Sequence, residues 1–304
     1  MKAIACADLH LSDKAPSSRN ADYPEQCLEK FSQIFEAAVD NDCPYIVVAG
    51  DFFDKPIVSL EFLNKVIKIR THFSKIKLVT IPGQHDMKYH QLGTLNKTAY
   101  GILKEAGLII HMDVGNWHNG IVGLPWETEL SEKDMQTDMD ILLVHRMVTE
   151  SGPLFEGQTD WISGKGLLEQ YPRTKFIISG DNHKPHIVKD RSRCGGININ
   201  CGSMMRKSKD QMNYKPCMYC IDTDTGEYEM IPFVIEDNVW DMVKIELDER
   251  KQDSKKELQA FLDSLDSGST RPDFESILEE FIESRKPSKA VRDIIDEELA
   301  GTCK

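Results

Sequence analysis

Short apolar runs alternate with longer amphipathic stretches through the first third of the chain. Lys2–Ala7, Tyr45–Ala49 and Ile76–Ile81 are brief aliphatic blocks bounded by polar turns, the pattern of buried strands. Pro24 opens a helical pattern between the first two, with Cys27, Phe31, Ile34, Phe35 and Ala38 on one face. Ser59 is placed to cap a second helix carrying Phe62, Leu63, Val66, Ile67 and Phe73. Strand, helix, strand, helix, strand predicts parallel pairing through right-handed crossovers, with the helices packed outside the sheet.

A third helix is expected over Thr94–Glu105, closed by Gly107, and strands over Ile109–Met112, Gly120–Leu124, Ile141–Val144 and Phe176–Ser179. Ile187–Lys189, Ile197–Asn200 and Met218–Asp222 read as consecutive antiparallel strands joined by Gly- and Asn-containing turns. The fold class predicted for residues 1–235 is α/β, a two-sheet sandwich with flanking helices. Beyond it Val239, Val243, Ile245 and Leu247 fall on one face of an expected strand. Leu258, Phe261, Leu262 and Leu265 then follow the spacing of an amphipathic helix, making 236–268 a small α/β cap. Residues 269–304 read as an acidic helical segment with two more apolar stripes, which either pack on their own domain or dock on a partner.

Composition narrows the class. Of 304 residues 40% are apolar and 29% charged, an ordinary balance for a globular protein with a large core. No run approaches the roughly 18 apolar residues of a membrane span. Met1 leads straight into a strand, which leaves no room for a signal peptide, and the eight cysteines are scattered. A reduced, cytoplasmic protein is therefore expected. The formal net charge of −13 argues against a general nucleic-acid coater. The charge is uneven, however. From Glu236 onward 19 acids face 11 bases, whereas Arg173–Lys215 holds ten bases against Asp181, Asp190 and Asp210. Such a segment is either a contact for phosphate or the solvated tips of hairpins.

Chemistry-bearing residues gather just after the strand-like runs. Asp8 and His10 follow the first, Asp51 the second and Gln84-His85-Asp86 the third. His145 ends another, and Asp181, His183 and His186 follow a fifth. Ligand sites of open α/β sheets gather at the carboxyl ends of strands. A mixed carboxylate–imidazole set suits manganese, iron or zinc better than calcium. Cys217-x-x-Cys220 is discounted as a zinc site, because residues three apart on a strand face opposite ways and zinc ribbons carry paired spacings.

The order Asp-x-His, Gly-Asp-x-x-Asp, Gly-Gln-His-Asp, a lone His and Gly-Asp-x-His resembles the motif series of the calcineurin-like metallophosphoesterases. Gly123-Leu124-Pro125-Trp126, Gly180-Asp181-Asn182-His183-Lys184-Pro185 and Gly202-Ser203-Met204-Met205-Arg206 are similar to segments of one branch. That branch is the nuclease subunits of double-strand-break-repair nuclease–ATPase complexes, SbcD in bacteria with phage counterparts. The likeness in motifs spans residues 1–225. It implies two divalent ions, manganese foremost or magnesium. Asp8, His10 and His183 would hold the first, Asp51 would bridge both, and Gln84, His145 and Asp181 would complete the second. Two ions so placed clamp a phosphodiester and activate a water. His85 would protonate the leaving oxygen, with Asp86 fixing its tautomer, while His186 and Arg206 would meet the substrate. The implied activity is exonuclease and single-strand endonuclease cleavage of DNA in recombination, repair or replication, beside an SMC-like coiled-coil ATPase. The helices over 60–73 and 93–105 match those that form the family's dimer, so a homodimer is expected, in the host cytoplasm for a phage protein.

Two positions depart from the family pattern, and both fall on the second ion. Gln84 stands where asparagine is usual, and its extra methylene moves the amide oxygen by about a bond length. Asp181 stands where the first His of Gly-His-x-His is usual, an anionic oxygen for a neutral nitrogen. The expectation is a harder, oxygen-rich second site. Two other readings share the fold. One is a phosphomonoesterase or cyclic-nucleotide phosphodiesterase, which the acidic charge favours. The other is a partner-binding scaffold with a weakened second site.

Overall fold

The computed structural model describes residues 1–189 and 195–266, with 282–284, 287, 289 and 292. It divides into two units, Met1–Val239 and Trp240–Lys304. In the first, β1 (Lys2–Cys6) leads to α1 (Tyr23–Asp40), β2 (Tyr45–Ala49), α2 (Leu60–His72) and β3 (Lys77–Ile81), in the expected order. Pro24 occupies the first turn of α1, where a missing N–H leaves no bond unmade. Ser59 Oγ accepts the Phe62 N–H and caps α2. The helix expected from Thr94 is split. A 3-10 segment over Leu92–Lys97 gives way to α3 (Ala99–Glu105), which restarts where Thr98 turns extended and its hydroxyl accepts the Gly101 N–H.

Beyond α3 come β4 (Ile110–His111), β5 (Trp117–His118), β6 (Ile121–Leu124), α4 (Glu132–Met135) and β7 (Met139–Arg146). A small two-stranded sheet, β8 (Val148–Thr149) with β9 (Ile162–Ser163), precedes α5 (Gly164–Gln170) and β10 (Thr174–Asp181). The unit closes with β11 (His186–Lys189), β12 (Ile197–Asn200), β13 (Cys217–Asp222) and β14 (Glu227–Pro232).

Two six-stranded sheets result, ordered β14-β13-β1-β2-β3-β4 and β11-β12-β10-β7-β6-β5. Strands β1 to β4 run parallel, as do β12, β10, β7 and β6. The expected antiparallel series over Ile187–Asp222 is only partly formed. β11 and β12 are antiparallel, but β12 lies parallel to β10, and β13 crosses to the other sheet beside β1. Burial explains the crossing. β13 sends Cys217, Tyr219 and Ile221 into the core between the sheets and turns Met218 and Cys220 to the helix-lined core behind.

The same period-two alternation builds the layers. Ala3, Ala5, Val47, Ala49 and Ile81 face Ile141, Leu143, Phe176 and Ile178 between the sheets. Ile4, Cys6, Ile46 and Val48 point the other way, onto Phe31, Phe35 and Phe62 of α1 and α2. Behind the second sheet Leu142, Val144 and Ile177 meet Leu167 and Leu168 of α5. The order is helix, sheet, sheet, helix.

In the second unit the strand expected through Val243, Ile245 and Leu247 is not formed. Met242–Asp266 is one helix, α6. Asp241 starts it, its Oδ1 accepting the Lys244 N–H and its carbonyl the Ile245 N–H. Ile245 is buried, but Val243 is 70% and Leu247 48% exposed, so the three do not share one buried strand face, and the intervening Lys244 and Glu246 are good helix formers. The expected linker at 267–270 and most of the acidic segment 269–304 lie outside the described residues. No described helix is long and apolar enough to cross a membrane.

Phe35 anchors the helix-lined core. It is fully buried, stacked on Phe73 and edge-on to Phe31 at ring separations of 5.1 Å each. Phe35→Ala should cost about 3–5 kcal/mol, read as a lower urea midpoint with an unchanged slope.

Candidate metal centre

Strands from both sheets deliver the site. Asp8 and His10 leave the end of β1, Asp51 the end of β2 and Gln84-His85 the end of β3, while β7 contributes His145 and β10 Asp181 and His183. Asp8, His10 and His183 each present a ligand atom, all within 4.8 Å of one another; so do Asp8, Asp51 and His145, and His10, Asp51 and His85. The three groups share members, so they form one cluster. Asp8, His10, Asp51 and His145 are buried completely or nearly so.

The backbone is bent to achieve this. Asp8, His10, Asp51 and Asp181 have φ of 49°, 45°, 48° and 84°, left-handed values that cost roughly 1–3 kcal/mol each outside glycine. Hydrogen bonds hold them there. The Asp8 N–H donates to Gly50 O, the His10 N–H to Asp51 O, and the Asp181 N–H to both oxygens of Asp8 at 3.0 and 3.1 Å. Two glycines leave the room. A Cβ on Gly50 (φ +84°) would lie 2.2 Å from His145 Nδ1, and one on Gly83 2.1 Å from Asp51 Oδ1.

At the centre, acceptors face acceptors. His10 Nε2 and His183 Nε2 are 3.0 Å apart. His145 Nδ1 donates to Ala49 O at 2.8 Å, so the neutral ring carries a lone pair at Nε2, yet that atom lies 2.6 Å from Gln84 Oε1. Asp51 Oδ2 is buried with no hydrogen-bond partner, 3.6 Å from His10 Nε2, 3.5 Å from His145 Nε2 and 3.9 Å from His85 Nε2. Lone pairs converging out of water require a proton or a cation between them.

The charge states agree. Burial lowers the pKa of His10, and burial with the nearby His10 and Lys207 lowers that of His183 to about 3, so both rings are neutral and have lone pairs to offer. Burial alone would raise the Asp51 pKa, but His145, His10 and His85 outweigh it and hold the carboxyl well below its usual range. For His145 burial opposes the charge, while Asp51, Asp8 and Asp181 overcome it and push the ring up to about 10. A proton on His145 and a divalent cation are thus alternatives for one negative pocket, and the imidazole–carboxylate donor set fits such ions.

Residues 1–185 match the family model of the calcineurin-like phosphoesterases. The chain belongs to this family. Members typically bind two divalent metals, and membership points to a metal-dependent hydrolase. Among solved structures similar to this phosphoesterase is a dimetal phosphatase from Danio rerio, 10% identical with a TM-score of 0.46, the alignment covering 77% of this chain and 99% of that one. No match is found among curated proteins.

Several residues of this phosphoesterase make contacts other than their expected roles require. Asp86 does not orient His85. Its buried carboxylate accepts the N–H groups of Phe52, Phe53 and Gly83 at 3.0, 2.8 and 3.0 Å, tying the loops after β2 and β3 together. His85 Nδ1 instead donates to the carbonyl of Asp54 at 2.9 Å. Asp54 was not among the expected site residues, although the Gly-Asp-x-x-Asp spacing contains it. Its carboxylate also lies 3.4 Å from His10 Nδ1 and pairs with Lys207. Arg206 is 9% exposed and donates to the carbonyls of Met212 and Glu236, so it braces backbone and does not face a substrate. His186 donates from Nδ1 to Lys184 O and joins none of the ligand groups.

Gln84 and Asp181 are one feature. Gln84 Nε2 donates to Asp181 Oδ1 at 2.7 Å, which fixes Oε1 toward His145. The longer side chain spans the two. The basic segment is no single track. Arg173 and Lys175 flank the start of β10, a strand length from Asp181, and pair with Asp138 and Asp140. Arg191 and Arg193 lie outside the described residues.

Metal binding at pH 7.5 should release protons as His145 gives up its own. Calorimetry in buffers of different ionisation enthalpy should find about one proton fewer for His145→Gln. Because the folded pKa is raised from 6.5 to about 10, the protonated ring adds stability to the metal-free protein that is complete below pH 6.5 and fades as pH rises through about 10. Asp86→Asn leaves one acceptor oxygen and turns an NH2 toward backbone donors. It should destabilise by about 2–4 kcal/mol, and an unchanged melting temperature would contradict the tie between loops.

Proposed function

We propose that this phosphoesterase is a DNA phosphodiesterase with exonuclease and single-strand endonuclease activity, acting with an SMC-like coiled-coil ATPase. The observation that carries the reading is a cleft of about 580 Å³ beside His183, lined by Lys184, Lys207 and Ser17 among others. Phosphates next to the scissile one, which a monoester lacks, would find cations and donors there. Asp8, His10 and His183 with Asp51 would hold one ion, and Asp51, His145 and Gln84 Oε1 the other. Two ions so held supply Lewis acidity and a nucleophilic water. The chain's own residues do the rest. His85, with its side chain 41% exposed and its Nδ1 proton anchored on Asp54 O, offers Nε2 to the leaving oxygen as a proton donor. The buried, strongly acidic Asp51 remains an anion beside it, its Oδ2 3.9 Å from that Nε2.

The partner surfaces follow the same reading. Ile57, Leu60 and Ile102 are 61, 75 and 47% exposed around an apolar groove between the starts of α2 and α3, a surface suited to a homodimer. Residues 269–304 would meet the ATPase. One observation favours the small-substrate reading, a phosphomonoesterase or cyclic-nucleotide phosphodiesterase: Arg206 is withdrawn into backbone contacts in a chain of net charge −13.

The test is manganese-dependent degradation of a linear duplex, with and without the ATPase, beside small phosphate mono- and diesters. The expected result is DNA cleavage, reduced about 10²–10⁴-fold in kcat by His85→Ala with DNA binding retained. Cleavage of small esters alone would select the rival, and silence on every substrate a binding scaffold.

A further inference from the structure

A second cleft, about 560 Å³, opens on the His145 side of the cluster. Two indoles line it, Trp126 and Trp161, together with the Arg146 guanidinium and the carboxylates of Glu127, Glu129 and Asp160. It adjoins the chemistry. The Trp126 and His145 ring centres are 6.2 Å apart, and Arg146 follows His145 directly and sits opposite Asp181 in the β7–β10 register. Arg146 is held in place by the Thr128 carbonyl and by Glu129 at 3.8 Å. The Ile162 N–H bonds to Met147 O at 3.0 Å and fixes the backbone after Trp161. Glu127 adopts a left-handed φ of 54°, which turns the chain after Trp126. The proposed mechanism uses none of these groups.

We infer that this cleft receives one nucleobase of the cleaved strand, that of the nucleotide adjoining the scissile phosphate. The inference rests on the phosphodiesterase reading. Indole and guanidinium planes bind any base through its π-face, and carboxylates can accept from exocyclic amines. The volume falls in the usual range of small-ligand pockets, roughly 300–1,000 Å³. Charge divides the substrate between the two clefts. Three carboxylates against one guanidinium repel phosphate from the indole cleft, while on the His183 side two lysines, Lys184 and the Asp54-paired Lys207, stand against the single carboxylate of Asp210. A base seated among the indoles has left its stack, so single strands and frayed ends are favoured over duplex interiors.

The test uses the full chain with manganese and two single-stranded oligonucleotides, one intact and one abasic at the cleaved nucleotide. Calorimetry with deoxyadenosine, an uncharged ligand, runs beside it. Removing the base should raise KM roughly tenfold for the wild type. Trp161→Ala should do the same on the intact strand, leave the abasic strand unchanged and abolish nucleoside binding, while Trp161→Phe retains all three. Equal KM values for intact and abasic strands would overturn the inference. So would a loss in Trp161→Ala shared by the abasic strand, which assigns Trp161 to the fold. If neither strand is cleaved but deoxyadenosine binds and Trp161→Ala abolishes it, the nuclease reading fails and the base site stands.

Discussion

The buried Asp51 carboxylate is the constraint on which the rest of the site depends. Its Oδ1 accepts the His85 N–H at 2.9 Å, and its Oδ2, buried without a hydrogen-bond partner, faces three imidazoles at 3.5 to 3.9 Å. An anion that deep costs several kcal/mol unless positive charge is brought to it. The surrounding structure supplies that charge or holds the place for it. His145 can carry a proton, His10 and His183 stay neutral with their lone pairs turned inward, and Asp86 fastens the loop that carries Asp51 to the loop after β3.

The sandwich makes this arrangement affordable in strain. Parallel strands from both sheets deliver their ends to one place, so the residues just after five of them converge. Four left-handed residues then end the strand alternation and turn their side chains toward one point. The inter-sheet core fixes the strand ends, and the helices behind each sheet fix the sheets. Binding chemistry therefore sits on rigid elements, and its exposed edge, His85 with its neighbouring clefts, is where a substrate can enter.

Much of this was legible in the sequence because it rests on local pattern. The alternation of Ala3, Ile4, Ala5 and Cys6 marks a strand buried on both faces, and Pro24 and Ser59 mark helix starts through their own backbone chemistry. Asp8, His10, Asp51, His145 and His183 stand out in the sequence as chemistry-bearing residues after strand-like runs, and the structure brings them into overlapping groups that could hold an ion. What was not legible depends on neighbours in space. β13 belongs beside β1, a pairing of residues 214 to 220 apart in sequence, and the Val243–Leu247 alternation is short enough to be helix instead. Asp86 and Arg206 look chemical by motif, but backbone groups from other loops claim their polar atoms. Gln84 and Asp181 read as two departures from a motif and prove to be hydrogen-bonded partners, a carboxylate and the one side chain long enough to reach both it and His145.

We propose that Asp51 anchors two divalent ions in one cluster, the second with Gln84 and His145. Native mass spectrometry of the full chain titrated with manganese tests it most directly. Two ions per chain are expected at saturation, and fewer than two in Asp51→Asn. A single ion in the wild-type chain at saturating manganese would contradict it.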